Sequence, residues 1–293
     1  MRHEYVLTNK CNLKCVYCSF PNRGGEKSLK KVKNEILLIY KNNFNQLAIT
    51  GGEPSLNKDL DKIIFYAKKI GFKEVILETN GYGLDDINYA KSLISSGLDS
   101  IGFSFQGVNS KTHDSVVGVK GHHEKLMKAI SNLIKLNFSN IIFTPVITEF
   151  NYRDIPEIIR FAEKHRYFLR FNFVRIHQYD FFERSNLSYK EVVPEYSKVC
   201  KVFYDSFKKN PPREAYEAYN NIPPCAFYAI GEDIFKYIEP NEGHLSPEIH
   251  SAELKLYSKP KMCEKCKFNK TCQGIFYTYV AERGLAEFKP ILK

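Results

Sequence analysis

Three cysteines within eight residues, Cys11, Cys15 and Cys18, constrain this chain more than any other feature of its sequence. They follow residues 4–8, whose apolar pattern predicts a β-strand. Three thiolates on one short loop can hold three irons of a [4Fe–4S] cluster and leave the fourth iron open. The alternative is structural zinc, but that ion normally takes four protein ligands, and no further Cys or His follows Cys18 as far as Gly25. The spacing therefore favours a cluster with one vacant iron.

The same motif resembles the signature of the radical S-adenosylmethionine (SAM) enzymes, in which an aromatic residue, here Tyr17, precedes the last cysteine. The resemblance implies that SAM chelates the open iron through its amino and carboxylate groups. It further implies that one electron from the cluster cleaves a C–S bond of SAM and yields a 5′-deoxyadenosyl radical. We therefore expect a [4Fe–4S] cluster with an open iron site and SAM as cofactors, with Tyr17 among the cofactor-binding residues.

Cysteine usage and composition indicate a cytoplasmic protein. The eight cysteines are clustered toward both ends of the 293 residues, which favours metal sites in a reducing compartment over disulfides. No stretch approaches the ~20 apolar residues that a membrane-spanning helix needs. The N-terminus leads into the first predicted strand without a secretory signal. We therefore expect no membrane partner.

The net charge of +10 has two interpretations. An excess of positive charge can attract an anionic partner such as a nucleic acid. It can also reflect a bias in composition, because the lysines fall on outer faces of predicted helices and no arginine-rich tract occurs. We favour the second interpretation and expect no nucleic-acid partner.

Residues 4–176 alternate between apolar strands and amphipathic helices. Strands are predicted at residues 4–8, 46–50, 75–79, 101–105, 141–144 and 168–176. Helices are predicted after caps at Ser28 and Asn57 and over residues 84–96, 122–136, 154–165 and 189–209. Steps of ~25–30 residues imply a parallel sheet with right-handed crossovers. Pro145 is expected to mark the end of the fifth strand, because it cannot donate a hydrogen bond to a neighbouring strand.

Six strands are too few for a closed (β/α)8 barrel. The family resemblance instead implies an open partial (β/α)6 TIM-like barrel with a small C-terminal α+β iron–sulfur extension. We predict an α/β fold of this kind, with the barrel in residues 1–185 and the extension in residues 186–293. In such folds the chemistry gathers where strands end and helices begin.

The sequence Gly51-Gly52-Glu53-Pro54 closes the second predicted strand. Glycines let the backbone approach a ligand closely, although such a sequence by itself indicates only a turn. Its position after a strand resembles the G-G-E-P motif of the family. The resemblance implies that this turn holds the amino group of cluster-bound SAM.

Four polar residues at the next two strand ends are further candidates for contact with SAM or substrate. Glu78 and Asn80 belong to a stretch that resembles a T-N-G motif of the family. Ser104 and Gln106 resemble an S-x-D-G motif, in which the serine is implied to contact the ribose or carboxylate of SAM. Here a neutral glutamine replaces the aspartate. For all four residues, ordinary capping of a strand end is the alternative.

The cation that would balance the SAM carboxylate is not identified by the sequence. His113, Asp114 and Gly118 fit an H-D-x-x-R-G stretch of the family, but Val117 stands where the arginine is usual. Lys120 is one candidate. Arg175, which follows the last predicted strand, is another, since arginine binds carboxylates in a two-pronged geometry. A solvated arginine is the alternative there.

A second group of cysteines, Cys225, Cys263, Cys266 and Cys272, can close another metal site. Zinc is one candidate, because C-x2-C is common in zinc sites. The pattern also resembles the C-terminal extension of SPASM and twitch radical SAM proteins, with a hairpin over residues 235–247. Glu248 stands where a further cysteine would be expected. We therefore favour a single auxiliary [4Fe–4S] cluster over zinc.

The resemblance implies hydrogen abstraction from a substrate, with no catalytic residue assigned beyond the first cluster. Relatives with such an extension most often modify ribosomally made peptides, so we favour a peptide maturase. The alternatives are dehydrogenation or modification of a small molecule, nucleoside or tRNA, and, from another class, a non-catalytic metal-binding interaction protein. Expected partners are the substrate, an electron donor such as flavodoxin or ferredoxin, and a separate leader-peptide-binding protein. The second cluster would accept an electron from the product radical, contact substrate or hold the extension together.

Overall fold

A computed structural model describes residues 1–18, 27–176, 186–211, 219–238 and 256–292. Within these ranges no helix is long and apolar enough to cross a membrane. By their internal contacts the residues form two compact units. The first comprises Met1–Pro145 and Ala162–Leu169, and the second comprises Val146–Phe161 and Arg170–Lys293. The boundary between residues 185 and 186 that we expect from the sequence stays a prediction about the domains.

A six-stranded parallel sheet, whose strands lie side by side in chain order, forms the centre of the first unit. Its strands are β1 (Arg2–Thr8), β2 (Gln46–Gly51), β3 (Glu74–Thr79), β4 (Ser100–Phe103), β5 (Ile141–Phe143) and β7 (Phe168–Leu169). The helices of the chain up to this point are α1 (Leu29–Lys41), α2 (Leu60–Ile70), α3 (Ile87–Ser95), α4 (Ser110–Val117), α5 (His122–Lys135) and α6 (Ile155–His165). The prediction of an open partial (β/α)6 barrel is confirmed.

One face of this sheet is apolar and buried. Tyr5, Ile49, Leu77, Ile101 and Ile141 occupy paired positions on five neighbouring strands. All of them are buried. Burying such a side chain contributes about 1.5–3 kcal/mol, so this row holds the strands in register. The strand ends that carry the candidate residues are fixed by this packing.

Two helix starts test the predicted caps. Ser28 caps α1 as predicted, because its side chain accepts a hydrogen bond from the Lys31 backbone N–H at 3.3 Å. The cap predicted for α2 at Asn57 is wrong, since Asp59 occupies that position. Asn57 instead ends a short 3-10 helix, Pro54–Leu56, and its Oδ1 accepts from the Asp59 backbone N–H at 2.9 Å.

The last predicted strand is divided in two. Only β7 joins the central sheet, whereas β8 (Phe171–Phe173) pairs in parallel with β6 (Val146–Ile147) and β9 (Tyr219–Asn220) in a second sheet. Pro145 separates β5 from β6, as expected of a residue without a backbone N–H. The apolar pattern of residues 168–176 is continuous, so it cannot reveal that its two halves pair with different partners.

The helix predicted over residues 189–209 is also divided, which corrects that prediction. It consists of α7 (Tyr189–Val192) and α8 (Tyr196–Lys209), and Pro194 lies between them. Proline lacks the N–H that a helix interior needs and its ring clashes with the preceding turn. The remaining elements are α9 (Pro224–Tyr228), a 3-10 helix (Glu232–Lys236), β10 (Tyr257–Ser258), a 3-10 helix (Lys261–Lys265), β11 (Ile275–Phe276) and α10 (Tyr277–Arg283).

The predicted hairpin over residues 235–247 is wrong at its start, because Phe235 and Lys236 belong to a 3-10 helix. The rest of that hairpin, residues 239–247, and Glu248 lie outside the described residues.

Candidate cluster and cofactor site

The first cysteine loop, residues 11–18, begins just beyond the end of β1 and is held by backbone hydrogen bonds to the end of α4. The Lys14 N–H donates to the Val117 carbonyl at 3.0 Å, and the Val16 N–H donates to the Val116 carbonyl at 2.9 Å. Its three cysteines are thiols rather than parts of disulfides, and all three residues are partly exposed. The loop is therefore fixed between the end of β1 and the end of α4.

The electrostatics of the first cysteine loop suit a metal-bound state. Burial, and after it the negative charges of Cys18 and Cys11, raises the pKa of the Cys15 thiol to about 12. Burial likewise raises the pKa of Cys11. Three thiolates this close repel one another unless cations lie between them. Iron supplies those cations, so the donor set fits a cluster held by this loop.

Two glycines bring the next turn against the first cysteine loop. A Cβ at Gly51 would lie 2.2 Å from the Thr8 carbonyl oxygen, and one at Gly52 would lie 2.1 Å from the Lys10 carbonyl oxygen. The Gly52 N–H donates to Thr8 O and the Glu53 N–H donates to Lys10 O, both at 2.7 Å. Only residues without a Cβ permit this backbone contact. The predicted Gly51–Pro54 turn and the first cysteine loop are thus brought together.

The Glu53 side chain is entirely buried and is occupied by protein donors. Its Oε1 accepts from the Ser55 N–H and hydroxyl and from the Thr79 hydroxyl, and its Oε2 accepts from the Asn80 N–H at 2.7 Å. Burial raises the pKa of Glu53, and the hydrogen bonds from these donors oppose that shift. The carboxylate therefore ties the end of β2 to the end of β3.

Asn80 lies directly beside the first cysteine loop. Its Nδ2 donates to Asn12 Oδ1 at 2.9 Å and approaches the Cys11 sulfur at 3.9 Å. The Asn80 Oδ1 accepts from the Tyr82 N–H at 3.0 Å, which fixes the orientation of the amide. The structure thus places this predicted residue next to Cys11 and Asn12.

Gln106 is fully buried and also reaches the first cysteine loop. Its Nε2 donates to the hydroxyl of Tyr17, which belongs to this loop, at 2.9 Å. The Gln106 backbone N–H donates to His113 Nδ1 at 3.2 Å. Tyr17 and Gln106 are therefore brought together with the cysteines.

Ser104 and Glu78 occupy different surroundings. The Ser104 N–H donates to the Thr79 carbonyl at 2.9 Å, which places Ser104 at the strand ends. Glu78 forms an ion pair with Arg2 at 2.7 Å, and its carboxylate lies over Gly102, where a Cβ would be 2.0 Å from Oε2. Sequence reasoning missed Arg2, because its partner stands 76 residues away on another strand.

Arg175 belongs to the second unit and contacts its residues. Its Nη1 donates to the Tyr257 hydroxyl at 3.0 Å, and that hydroxyl donates to Asn221 Oδ1 at 3.0 Å. Lys120 lies in the first unit and is exposed. Their assignment to a carboxylate of SAM or substrate stays a prediction.

Two histidines beside the first cysteine loop were missed as a pair. His113, on α4, and His122, on α5, are buried, and their rings are stacked with His113 Nε2 3.0 Å from His122 Nδ1. Burial lowers the pKa of His113 to about 3, so it is neutral at ordinary pH. The signal for α4 was Asn109, whose Oδ1 accepts from the Thr112 N–H at 2.9 Å as an N-cap.

The second cysteine group lines one cavity in the second unit. Cys225, Cys263, Cys266 and Cys272 all face it, together with Lys259. Burial, and after it the negative charges of the other three cysteines, raises the pKa of Cys225 to about 12. Burial raises the pKa values of Cys263 and Cys272, and the positive charge of the Lys259 amine partly opposes this shift.

Among the residues that the structure describes, no three His, Cys, Asp or Glu side chains converge tightly enough to hold a single metal ion. A [4Fe–4S] cluster takes each thiolate on a different iron, so its ligands surround a volume. Four thiols that line one cavity fit such a group. The nature of the metal at the second cysteine group stays a prediction.

Comparison with known sequences gives a family for more than half of the chain. Residues 5–162 match the sequence model described as the Radical SAM superfamily. The Probable GTP 3′,8-cyclase of Saccharolobus islandicus is 31% identical over 162 residues, which are 54% of this chain and 50% of that protein. The chain thus spans about half the length of the curated relatives that it matches.

Two solved structures share the fold over nearly the whole chain. The structure described as native anSMEcpe with bound AdoMet and Cp18Cys peptide has a TM-score of 0.64 at 17% identity, and covers 99% of this chain and 92% of that one. Streptococcus suis SuiB bound to S-adenosylmethionine has a TM-score of 0.62 at 17% identity, and covers 99% of this chain and 76% of that one. At these identities the likeness concerns the fold.

Proposed function

This chain belongs to the radical SAM superfamily, and we propose that it abstracts hydrogen from a peptide substrate. Cys11, Cys15 and Cys18 would hold a [4Fe–4S] cluster, and the backbone of the Gly51–Pro54 turn would face SAM on the open iron. A cluster loaded in this way supplies a 5′-deoxyadenosyl radical by one-electron cleavage of SAM. The observation that carries the proposal is the close contact of the Gly51–Gly52 backbone with the carbonyl groups of Thr8 and Lys10.

The residues of this chain position and tune that cofactor. Glu53 fixes the turn to the end of β3 through its buried carboxylate. Asn80 orients the first cysteine loop through Asn12. Gln106, which follows the end of β4, holds Tyr17 of the first cysteine loop. Each of these groups comes from the carboxyl end of a parallel strand, where ligands of barrel enzymes bind.

A peptide is favoured as substrate by the extent of the structural match. The likeness to anSMEcpe, whose structure holds a peptide, runs through 99% of this chain and therefore includes the C-terminal region. The likeness to the GTP 3′,8-cyclase is stronger in sequence but covers 54% of this chain. A small molecule such as a nucleotide is the second candidate, favoured by that identity alone.

The second cysteine group would hold an auxiliary [4Fe–4S] cluster. Its four thiols match the four irons, which leaves no iron for direct binding of substrate. We therefore favour a role in accepting an electron from the product radical or in stabilising the second unit. Zinc remains the alternative occupant of these four cysteines.

Cleavage of SAM tests the enzymatic part of the proposal. The protein would be purified without oxygen, reconstituted with iron and sulfide, and mixed with dithionite and SAM. We expect 5′-deoxyadenosine from the wild type and from Cys200→Val, which changes a buried thiol on α8. A protein that binds zinc at both cysteine groups and leaves SAM intact would support the non-catalytic alternative.

Transfer of label tests the substrate. Short peptides encoded beside the gene would be prepared with deuterated side chains and compared with deuterated GTP. We expect deuterium in 5′-deoxyadenosine and a changed mass of the peptide. Deuterium that arrives only from GTP would replace the peptide proposal with the nucleotide one. A flavodoxin or ferredoxin in place of dithionite, with or without a leader-peptide-binding protein, would test the expected partners.

A further inference from the structure

The central sheet has a second face, opposite the buried apolar row. Tyr5 of that row donates to Glu35 of α1 at 2.5 Å, so the row faces the helices. Successive side chains of a strand point to opposite faces, so the residue after each member of the row lies on the other face. Because the helices surround a barrel, this other face is its interior. We call these five residues the inner row: Val6, Thr50, Glu78, Gly102 and Ile142.

The inner row is accessible and lies near the carboxyl ends of the strands. Val6 is 37% exposed, and Thr50, Glu78 and Ile142 are half-buried. Asn80, two residues beyond Glu78 in the chain, adjoins Cys11. A substrate that gives up hydrogen beside the first cysteine loop therefore lies against the inner row.

Glu78 is the one charged member of the inner row, and only half of its carboxylate is occupied. Its Oε1 accepts from Arg2 Nη2 at 2.7 Å. Among the residues that the structure describes, no other donor bonds to this carboxylate, and its Oε2 retains contact with solvent. The side chains of Glu78 and Arg2 are 19% and 23% exposed. Glu78 Oε2 can therefore accept a hydrogen bond from a ligand.

A glycine on the neighbouring strand makes room for this carboxylate. A Cβ at Gly102 would lie 2.0 Å from Glu78 Oε2 and 2.7 Å from Glu78 Cδ. Gly102 lies within β4, and its partner on β3 is Glu78 itself. The carboxylate thus rests on the backbone of β4, in the space that any larger residue would take.

The charges on the inner face favour a positively charged ligand group. By the alternation of the strands, four charged residues lie on this face, one positive and three negative: Arg2, Glu4, Glu74 and Glu78. A cation is attracted to this excess of negative charge, whereas a nucleotide phosphate is not. Lysine and arginine also have apolar stems that pack on apolar surface. Val6 and Ile142 provide such surface two strands to either side, about 10 Å from Glu78 at the usual strand spacing.

We propose that Glu78 is a specificity-determining residue that selects a peptide carrying a lysine or arginine side chain. Glu78 Oε2 accepts from the ammonium or guanidinium group of the peptide, while Oε1 stays bonded to Arg2. A hydrogen bond between two charged groups is stronger than one between neutral groups, so it distinguishes a basic side chain from an apolar one of similar length. This inference rests on the proposed function, because it names the class of peptide that the same site takes.

Binding of short peptides tests the proposal without turnover. The probes are capped pentapeptides of glycine with lysine, norleucine or glutamate at the centre. They would be titrated calorimetrically into the reconstituted protein with SAM and without reductant. We expect the lysine peptide to bind about tenfold more tightly than the norleucine peptide, as a hydrogen bond to a charged group provides, and the glutamate peptide to bind most weakly. Equal binding of the lysine and norleucine peptides would overturn the inference.

Three variants test whether Glu78 causes the preference. Glu78→Gln keeps the shape and removes the charge, so the preference for lysine should be lost. Gly102→Ala keeps the charge but displaces the carboxylate, so the preference should fall below about threefold. Glu74→Gln is the matched control on the same strand and face, because Gln46 and Ser100 already donate to the Glu74 carboxylate at 2.7 and 3.3 Å. It should keep the tenfold preference, and a loss there equal to that in Glu78→Gln would overturn the role of Glu78.

The outcomes separate this inference from the proposed function. Urea unfolding of every variant shows whether it is folded. A wild-type protein that transfers deuterium from a peptide but does not distinguish lysine from norleucine would overturn the inference and leave the proposed function standing. A protein that prefers the lysine peptide through Glu78 but leaves SAM intact would support the binding preference and overturn the proposed function.

Discussion

The first cysteine loop and the second cysteine group hold their thiols in different ways. The first carries three cysteines and is surrounded by groups from distant parts of the sequence, among them Gly52, Asn80 and Gln106. The second carries four cysteines, three of them within ten residues, and a lysine lines its cavity. A ligand set that is one thiolate short needs neighbours that hold and orient another ligand. A complete set needs only a cavity of the right size.

The hydrogen bonds to sulfur follow the same division. In the first cysteine loop, the Cys11 sulfur accepts from the Leu13 N–H at 3.5 Å and from the side-chain amide of Asn80 at 3.9 Å. In the second cysteine group, Cys272 accepts from the Gly274 N–H at 3.3 Å. The first site thus adds side-chain donors to backbone donors. We infer that these neighbouring residues tune a cluster bound at the first site. A change in the second site should therefore leave that cluster unaffected.

The largest difference between the two sites is expected when one cysteine is removed from each. Cys15→Ala should reduce SAM cleavage to the level without enzyme, because the cluster loses one of its three protein ligands. Cys266→Ala should leave SAM cleavage in place and abolish the oxidised product, if the second cluster accepts the electron. Both are measured by chromatography of 5′-deoxyadenosine and mass spectrometry of substrate. Equal loss of SAM cleavage in the two variants would contradict the division between the sites.

Two glycines allow the same comparison through the backbone. Gly52→Ala would put a Cβ 2.1 Å from Lys10 O, and Gly274→Ala would put one 2.4 Å from Ser258 O. Each should lower the free energy of unfolding by about 3 kcal/mol or more, because backbone has to move. Each should also lower the iron content of its own site. The measurements are urea unfolding and iron and sulfide analysis.

Gly121→Ala is the matched control for both variants. Gly121 has φ +79° and no atom within 4 Å of its Cβ position, so the change costs backbone strain alone, about 1 kcal/mol. If the Gly52→Ala protein lost both clusters while the Gly274→Ala protein kept both, the two sites would be coupled.

The sequence was sufficient for the features that depend on local pattern. The alternation of strands and helices, the cap at Ser28 and the spacing of the cysteines are all readable over a few residues. It was not sufficient for contacts between strand ends. The pairing of Gln106 with Tyr17, and of Glu78 with Arg2, depends on which side chains share a face after folding.

The errors have the same physical origin, with one exception. The strand over 168–176 was divided because its halves pair with different partners, and periodicity does not name partners. Asn and Asp are both favoured at helix N-caps, so the residue types alone did not show whether Asn57 or Asp59 precedes α2. The break at Pro194 was the exception, because the local sequence already contained its cause.

Acid should affect the first site before the second. Burial lowers the pKa of His113 from 6.5 to about 3, so between these values the unfolded chain binds a proton that the folded chain does not. The free energy of unfolding therefore falls as the pH decreases from about 6.5 toward 3. At pH 5 the contribution of His113 is a loss of about 2 kcal/mol. His122, which faces the same ring, shifts in the same direction, and Asp114 opposes the shift.

Urea unfolding of the metal-free protein at pH 7 and pH 5 measures this slope. His113→Asn keeps an acceptor near the Nδ1 position and removes the titrating ring, so its slope should be flatter. His165→Gln changes an exposed histidine and should keep the wild-type slope. An unchanged slope in His113→Asn would show that the acid sensitivity arises elsewhere.

The smallest effect is expected at Lys259, and it should be confined to the second site. Lys259 is exposed, lines the cavity of the second cysteine group and donates to the Asn269 carbonyl. Its positive charge favours the more reduced state of a cluster bound there, so Lys259→Gln should shift that cluster to a more negative potential. Because an exposed lysine contributes little to folding, the free energy of unfolding should change by less than about 1 kcal/mol. The potential of the first cluster, read from the signal that responds to SAM, should stay unchanged. A shift of both potentials would mean that the charge acts over a longer range than the separate surroundings of the two sites imply.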